Sequence, residues 1–289
     1  MREYFNLFRF KQYLKNFFIF LPLFFGVKLF DFNLLIKVFG AFAAFSLITS
    51  AVYILNDYFD IEEDKLHPVK KNRSFASGKI SKSSAFPVVV ILLILGGSFL
   101  AIINSTAFWL AASYLILNIL YSLKLKHVPI IDLFIISSGF LIRLFIGSAV
   151  TGVNLTDWIL IMTFLLALFL ALSKRRDDVL IYLATGAKTR KAIDGYNIDF
   201  LNAAMVIMAS VSIVSYIMYT ISPEAMYKAH SQWLYLTAIF VIFGILRYLQ
   251  ITMVENESGS PTNILLKDRF IQLSIIGWII TFGFLLYFL

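Results

Sequence analysis

The chain has 289 residues, of which 60% are hydrophobic and 15% charged. A soluble domain is nearer half apolar and a quarter charged, so composition points to an integral membrane protein, with no polar segment long enough to fold as a separate soluble domain. The absence of Cys excludes disulfides and thiolate metal sites. The net charge of +8 suits a membrane surface or an anionic substrate; nucleic acid is not expected as a partner, because the basic residues cluster in loops between apolar runs.

Taken in chain order, the polar and aromatic stretch from Met1 to Lys15 leads into an apolar run with no small-residue cleavage site after it, so that run is read as a retained span. A span needs about 20 mostly apolar residues. On that measure nine are expected: 15–31, 34–55, 85–103, 106–122, 129–149, 157–173, 200–221, 232–253 and 269–289. The predicted fold is therefore all-α, one membrane domain over residues 1–289 made of nine transmembrane helices, with the N-terminus cytoplasmic and the C-terminus outside. Charge supports this order. All but four of the 25 basic residues fall on inner segments; Lys28, Lys37 and Lys228 lie at outer ends and Arg143 within a span. The long connections 57–84, 174–199 and 254–268 are all on the inner side, which places the chemistry facing the cytoplasm of the inner (plasma) membrane.

The first of these loops opens Asn56-Asp57-Tyr58-Phe59-Asp60-Ile61-Glu62-Glu63-Asp64 and continues His67-Pro68-Val69-Lys70-Lys71-Asn72-Arg73. If the preceding helix continues, Asp57, Asp60 and Asp64 follow at i+3 and i+4 and share one face, with Asn56 four residues before Asp60. Carboxylates crowded in this way repel one another unless a cation sits between them. Hard oxygen donors suit Mg²⁺, which is usually held by one or two carboxylates plus substrate phosphates. The basic run beyond the His67-Pro68 helix break would hold the remaining phosphate charge. An ordinary solvated acidic-basic loop is the simpler reading, but ionisable groups at the end of a span are costly and point to function.

The second loop opens Ser173-Lys174-Arg175-Arg176-Asp177-Asp178 and closes Asp194-Gly195-Tyr196-Asn197-Ile198-Asp199. Its basic cluster is either a topology anchor or a phosphate clamp facing the first motif, with Tyr196 or Asp199 returning toward it. Asn118 and Tyr121, at i and i+3 near the inner end of the fourth span, line a polar cavity or bond between helices. Arg143 lies about 20 Å along its helix at 1.5 Å per residue and needs a partner. Asp132, near the start of that helix, is a further cavity candidate. The third loop, Glu255 to Arg269, reads only as a turn at Gly259 and Pro261. No phosphate-cradling GxxxxGK[ST], HExxH or GxSxG occurs, and the three His residues, His67, His127 and His230, are dispersed.

Asn56-Asp57-x-x-Asp60-x-x-x-Asp64 resembles the first Asp-rich motif of the UbiA superfamily of intramembrane prenyltransferases, nine-helix bundles that bind Mg²⁺-diphosphate at the cytoplasmic mouth of a lipid-open cavity. Within it, several motifs look like the decaprenyl-phosphate phosphoribosyltransferase branch. These are Lys15-Asn16-x-x-x-Phe20-x-Pro22-Leu23, His67-Pro68-x-Lys70-x-x-Arg73, Tyr121-Ser122-x-x-Leu125-Lys126-His127-Val128-Pro129-x-x-Asp132, Gly139-Phe140-x-x-Arg143, Lys174-Arg175-Arg176 and Leu266-x-Asp268-Arg269. The branch usually has Pro after the residue matched by Arg73, where this chain has Ser74-Phe75. The second DxxxD motif of the prenyl-transferring members is missing, and Lys174-Arg175-Arg176 stands at its place.

The resemblance implies an Mg²⁺-dependent enzyme moving 5-phosphoribose from phosphoribosyl pyrophosphate to a polyprenyl phosphate, a step in cell-wall precursor biosynthesis. Asp57, Asp60 and Asp64 would be the catalytic metal ligands. Asn56, Lys70, Arg73, Asn118, Tyr121, Lys126, Lys174, Arg175 and Tyr196 would bind substrate. Two alternatives stand beside it: a polyprenyltransferase acting on an aromatic or haem-type acceptor, and a non-enzymatic lipid transporter. Whether the chain forms a homo-oligomer is left open by the sequence.

Overall fold

The structure is a computed structural model in which residues 7–186, 191–257 and 260–288 are described. Among them there are helices and no strand. Arg2, Lys188, Arg190 and the turn at Ser258-Gly259 lie outside the described residues. The chain divides into two compact units, Met1–Leu155 with Ile181–Gly195, and Thr156–Leu180 with Tyr196–Leu289.

In the first unit a 3-10 helix, Phe10–Phe20, runs into α1 (Leu21–Phe25). Then come α2 (Phe32–Phe59), α3 (Ile61–Leu66), α4 (Lys82–Ile103), α5 (Ser105–Leu123) and α6 (Ile131–Thr151). Local chemistry sets the starts of these helices. Asp31 accepts from the Leu34 N–H at 3.1 Å, Ser81 from Ser84 at 3.3 Å and Asn104 from Ala107 at 2.9 Å, each side chain satisfying one of the otherwise unpaired first-turn donors. The core of the unit is built on small residues. Ala41, Ala44, Ala107 and Ala111 are buried with Phe45, Ile48, Tyr114 and Ile146. Gly96 and Gly147 take this furthest: a Cβ on Gly96 would stand 2.7 Å from the Ala44 carbonyl oxygen, and one on Gly147 only 2.1 Å from that of Ile19. Without a hydrophobic drive between helices in lipid, such close backbone approach is what holds them together.

The second unit contains α7 (Asp157–Thr185, whose last residues fall in the first unit), α8 (Ile198–Thr220), α9 (Pro223–Ala229), α10 (Ala238–Met253), α11 (Pro261–Lys267) and α12 (Arg269–Tyr287). A short 3-10 turn, Trp233–Thr237, leads into α10. Polar clasps join its helices. The Tyr216 hydroxyl accepts from Trp278 Nε1 at 2.6 Å and shares a hydrogen bond with Thr237 at 2.7 Å, and Ser173 and Tyr248 are bonded at 3.0 Å.

Eight helices among the described residues are long and apolar enough to cross a membrane. The expected span at 15–31 is not one of them. Pro22 supplies no backbone donor, and the run is wound instead as the 3-10 helix followed by the five-residue α1. At about 2.0 Å per residue in the 3-10 part and 1.5 Å in α1, these sixteen residues still reach about 30 Å. The expected loop at 174–199 is also shorter than read. The α7 helix carries through Lys174 to Asp178 and ends at Thr185, so the basic cluster is helical.

Candidate active site

The acidic motif sits at a corner. The α2 helix ends at Phe59, Asp60 takes φ −94° and ψ 6°, and α3 restarts at Ile61, with the Asp64 N–H bonded to the Asp60 carbonyl at 2.7 Å. The expected continuous helix is thus bent, but Asp57, Asp60 and Asp64 are all buried. The bend sorts the carboxylates into two groups. Arg73 Nη1 bridges Asp57 Oδ1 at 3.0 Å and Asp64 Oδ2 at 2.7 Å, and Arg9 also pairs with Asp57. Lys126, only 3% exposed, donates to Asp60 Oδ1 at 2.6 Å and to Glu63 Oε2 at 3.2 Å. Burial pushes the Asp64 carboxyl up from the ordinary carboxylate value, against the pull of Arg73.

The loop that delivers Arg73 is organised by His67 and Phe75. The His67 Nδ1 accepts from the backbone N–H groups of Val69 and Lys70 at 3.1 and 3.3 Å. Phe75 is buried with Ile61, Ile80, Ala85 and Val89. The departure from Pro after Arg73 therefore has a packing reason, since an aromatic anchor replaces a rigid turn. Asn56 accepts from the Ser122 hydroxyl, which also lies 2.9 Å from the Asn118 carbonyl. The Asn118 amide donates to the Tyr114 carbonyl at 2.8 Å, and Tyr121 is partly buried beside Ser122.

In the second unit the basic cluster is largely committed to its own surroundings. Arg175 is 1% exposed and donates to Asp178 Oδ2 at 2.6 Å. Arg176 reaches Asn202 at 2.8 Å, the Thr252 carbonyl at 2.6 Å and Asn256 at 3.1 Å. Lys174 stays partly exposed, Tyr196 is buried and stacks on Phe200, and Asp199 is exposed. Asp268 caps α12 through the Ile271 N–H at 2.9 Å and pairs with Arg247 at 2.8 Å.

Arg9, Glu63 and Ser122 were not singled out from sequence. Glu63 stands at i+3 from Asp60, a spacing that pattern alone can find. Arg9, 48 residues from Asp57, leaves no such local signal.

These carboxylates suit a hard divalent cation in one particular way. Among the described residues no three His, Asp or Glu side chains converge to hold a metal by themselves. One cationic nitrogen, Arg73 Nη1, already bridges two of them. Such a pair would fit a Mg²⁺ held by one or two carboxylates and completed by phosphate and water rather than a closed protein cage.

Comparison with known proteins agrees with this reading of the fold. A decaprenyl-phosphate phosphoribosyltransferase of Corynebacterium glutamicum is 30% identical over 273 residues, covering 93% of this chain and 82% of that protein. One from Mycobacterium tuberculosis is 30% identical over 260 residues, covering 89% and 84%. The solved structure of a UbiA homolog from Archaeoglobus fulgidus bound to GPP and Mg²⁺ superposes with a TM-score of 0.69 at 18% identity, covering 99% of this chain and all of that one. The profile of the UbiA prenyltransferase family matches residues 19–273, and the chain is a membrane transferase that belongs to that family.

Proposed function

We propose that the chain transfers 5-phosphoribose from phosphoribosyl pyrophosphate to a polyprenyl phosphate, with release of pyrophosphate, in an Mg²⁺-dependent reaction. The observation that carries this reading is the buried pair of carboxylates, Asp57 and Asp64, held on one guanidinium of Arg73. The 30% identity to two decaprenyl-phosphate phosphoribosyltransferases over about nine-tenths of the chain supports the choice of substrates.

Asp57 and Asp64, with Asp60 beside them, would hold the metal that the donor diphosphate needs. Bound there, Mg²⁺ supplies neutralisation of the charge that develops on the departing pyrophosphate. Arg73 is the side chain that then changes partner, moving from carboxylate to phosphate oxygen, a charge-assisted bond of the same kind. Lys70, on the turn fixed by His67, adds charge to the same group. Lys126 keeps Asp60 and Glu63 paired, while Asn56, Asn118 and Tyr121 form the polar wall of α2 and α5 toward the donor. In the second unit, Lys174 is partly exposed and would bind the lipid phosphate, with Arg175 holding its segment through Asp178 and Tyr196 also a binding residue. Because the attacking lipid phosphate is already an anion, no strong general base is needed. Positioning and electrostatics carry the rate.

The proposal includes a cytoplasm-facing site in the inner membrane and nine crossings, the 3-10 run and α1 making the first. The inner-side bias of Lys and Arg supports it. Single Cys residues introduced into this Cys-free chain and labelled from each side would report the topology directly. The activity is tested with purified protein, labelled phosphoribosyl pyrophosphate and a polyprenyl phosphate, with and without Mg²⁺. Transfer of label to lipid is expected. Turnover only with a prenyl diphosphate and an aromatic acceptor would refute the reading, as would full function in Asp57→Asn with no Mg²⁺ requirement.

A further inference from the structure

Below the acidic corner the first unit holds a second, oppositely charged cluster. Arg143, 3% exposed, donates through Nε to Asn16 Oδ1 at 2.9 Å, through Nη1 to the Gly139 carbonyl at 2.6 Å and through Nη2 to the Tyr114 hydroxyl at 3.3 Å. Its guanidinium also faces the rings of Phe45, Tyr114 and Phe140 at 5.0–5.4 Å. Every one of these partners is neutral. The nearest acid on its own helix, Asp132, is eleven residues away, about 16 Å at the α-helical rise.

Lys15 stands next to Asn16 in the chain and within electrostatic reach of Arg143, Tyr114 and Arg9. Its side chain is partly buried. Among the described residues neither Lys15 nor Arg143 has a carboxylate partner. Two cations at membrane depth without an anion are costly in a low-dielectric surround, and such groups mark substrate or ion sites.

The cluster is also in register with the acidic corner. Tyr13 bonds Ser50 at 2.8 Å, and Asn16 donates to Ser46 at 3.0 Å and Thr49 at 3.2 Å. Along α2 those positions precede Asp57 by seven to eleven residues, or about 10–16 Å. Tyr53, one turn before Asp57, carries the Arg9 guanidinium over its ring at 5.4 Å and so continues the wall between the two clusters.

We infer that Lys15, with Arg143 behind it, seats a phosphomonoester bound one level deeper than the acidic corner. This rests on the proposed function, whose two substrates each carry such a group: the 5-phosphate of the donor and the headgroup of the acceptor lipid. The charge of a phosphomonoester, between one and two negative units, matches the two cations. The seat is distinct from the metal carboxylates, and Lys15 is a binding residue for which the acidic motif gives no cue.

The test uses Lys15→Met and Lys15→Arg in the full-length purified protein. Thermal unfolding is followed without ligand, with polyprenyl phosphate alone and with phosphoribosyl pyrophosphate alone, and steady-state kinetics are measured for both substrates. Removing an uncompensated charge should raise the melting temperature of ligand-free Lys15→Met. One of the two ligands should lose its stabilising shift, and KM for that substrate should rise by about tenfold or more, equivalent to about 1.4 kcal/mol. Lys15→Arg should restore both. Loss confined to polyprenyl phosphate assigns the seat to the acceptor, and loss confined to phosphoribosyl pyrophosphate to the donor. A lower melting temperature in Lys15→Met, or unchanged shifts and KM for both ligands, overturns the inference. Because the ligand shifts need no turnover, they judge the seat even if the wild-type protein transfers no phosphoribose, which would overturn the functional proposal alone.

Discussion

Lys126→Met removes a cation of nearly the same length from a site where two carboxylates depend on it. The ammonium is almost fully enclosed and bonds Asp60 at 2.6 Å and Glu63 at 3.2 Å. Breaking a buried ion pair from one side costs about 3–5 kcal/mol, because the remaining charge is left desolvated. Glu63 keeps 28% of its side chain exposed and Asp60 12%, so water recovers part of that and about 2 kcal/mol is expected. At roughly 2–4 °C per kcal/mol for larger chains, the melting temperature should fall by about 4–8 °C at pH 7. Lys126→Arg, which keeps the charge, is the control and should show little loss. The readout is thermal unfolding in one detergent at pH 7. A Lys126→Met variant as stable as wild type would refute the assignment of Lys126 as the counter-charge of Asp60 and Glu63.

Other substitutions probe the remaining parts. The Asp64 carboxyl titrates above the ordinary carboxylate value because it is buried. The ionised form is the one that holds a cation, so the acid limb of the rate profile should lie nearer neutrality than an ordinary Asp would place it. For stability the sign is opposite: a raised value favours the folded protonated form in acid, and that contribution is lost as pH rises through the folded value. Asp64→Asn should therefore flatten the pH dependence of the melting temperature while lowering turnover by about 10²-fold or more, the scale on which loss of a charge-stabilising group is felt. Arg175→Gln strands Asp178 in a pair that is 1% and 2% exposed, and should destabilise by about 3–5 kcal/mol. Lys174→Gln should raise KM for the lipid, measured on the same preparations. Gly147→Ala drives a Cβ to 2.1 Å from the Ile19 carbonyl oxygen, whereas Gly97→Ala meets only Phe108 at 3.5 Å. The first should cost at least about 1–3 kcal/mol by overpacking and the second should be near neutral, read as melting temperature and folded yield.

The spans were placed by hydropathy alone, and the side chains that set the helix starts enter with the structure. Asn197, Ser222 and Ser260 cap α8, α9 and α11 as Asp31, Ser81 and Asn104 do in the first unit. The crowding of Asp57, Asp60 and Asp64 was legible in their three- and four-residue spacing, which brings the side chains together even across the corner at Asp60. Two runs are built otherwise than hydropathy alone suggests. The run 15–31 is apolar enough to span, but 3-10 winding gives it its reach with fewer residues than an α-helix needs. Lys174 to Asp178 looked like a loop because it is charged, yet Arg175 and Asp178 sit one turn apart and satisfy each other inside the helix. The partners of Arg9 and Arg143 come from 48 and 127 residues away in sequence, so no window of sequence could name them.

What separates the basic residues of this chain is whether their charge is already answered. Arg175 has Asp178, Lys126 has Asp60 and Glu63, and Arg73 has Asp57 and Asp64, so in each case loss of the cation leaves an anion behind. On the proposed function Arg73 differs from the other two, since a phosphate oxygen would offer it the same bond a carboxylate does. Lys15 and Arg143 form the remaining class: among the described residues neither has a carboxylate partner, Arg143 has neutral partners only, and removing the charge at Lys15 should relieve the empty protein rather than injure it. A single experiment can rank all five. Conservative neutral substitutions compared by melting temperature without ligand should destabilise at Arg175, Lys126 and Arg73, since the Asp57 and Asp64 side chains left behind at Arg73 are only 7% and 5% exposed, and stabilise at Lys15. Arg143→Met should fall near zero, because the lost hydrogen bonds to Asn16 and Gly139 offset the relief of a buried charge. If Lys15 and Arg143 instead fell with Arg175, they would be structural ion partners, and the deep phosphate seat would lose its physical basis.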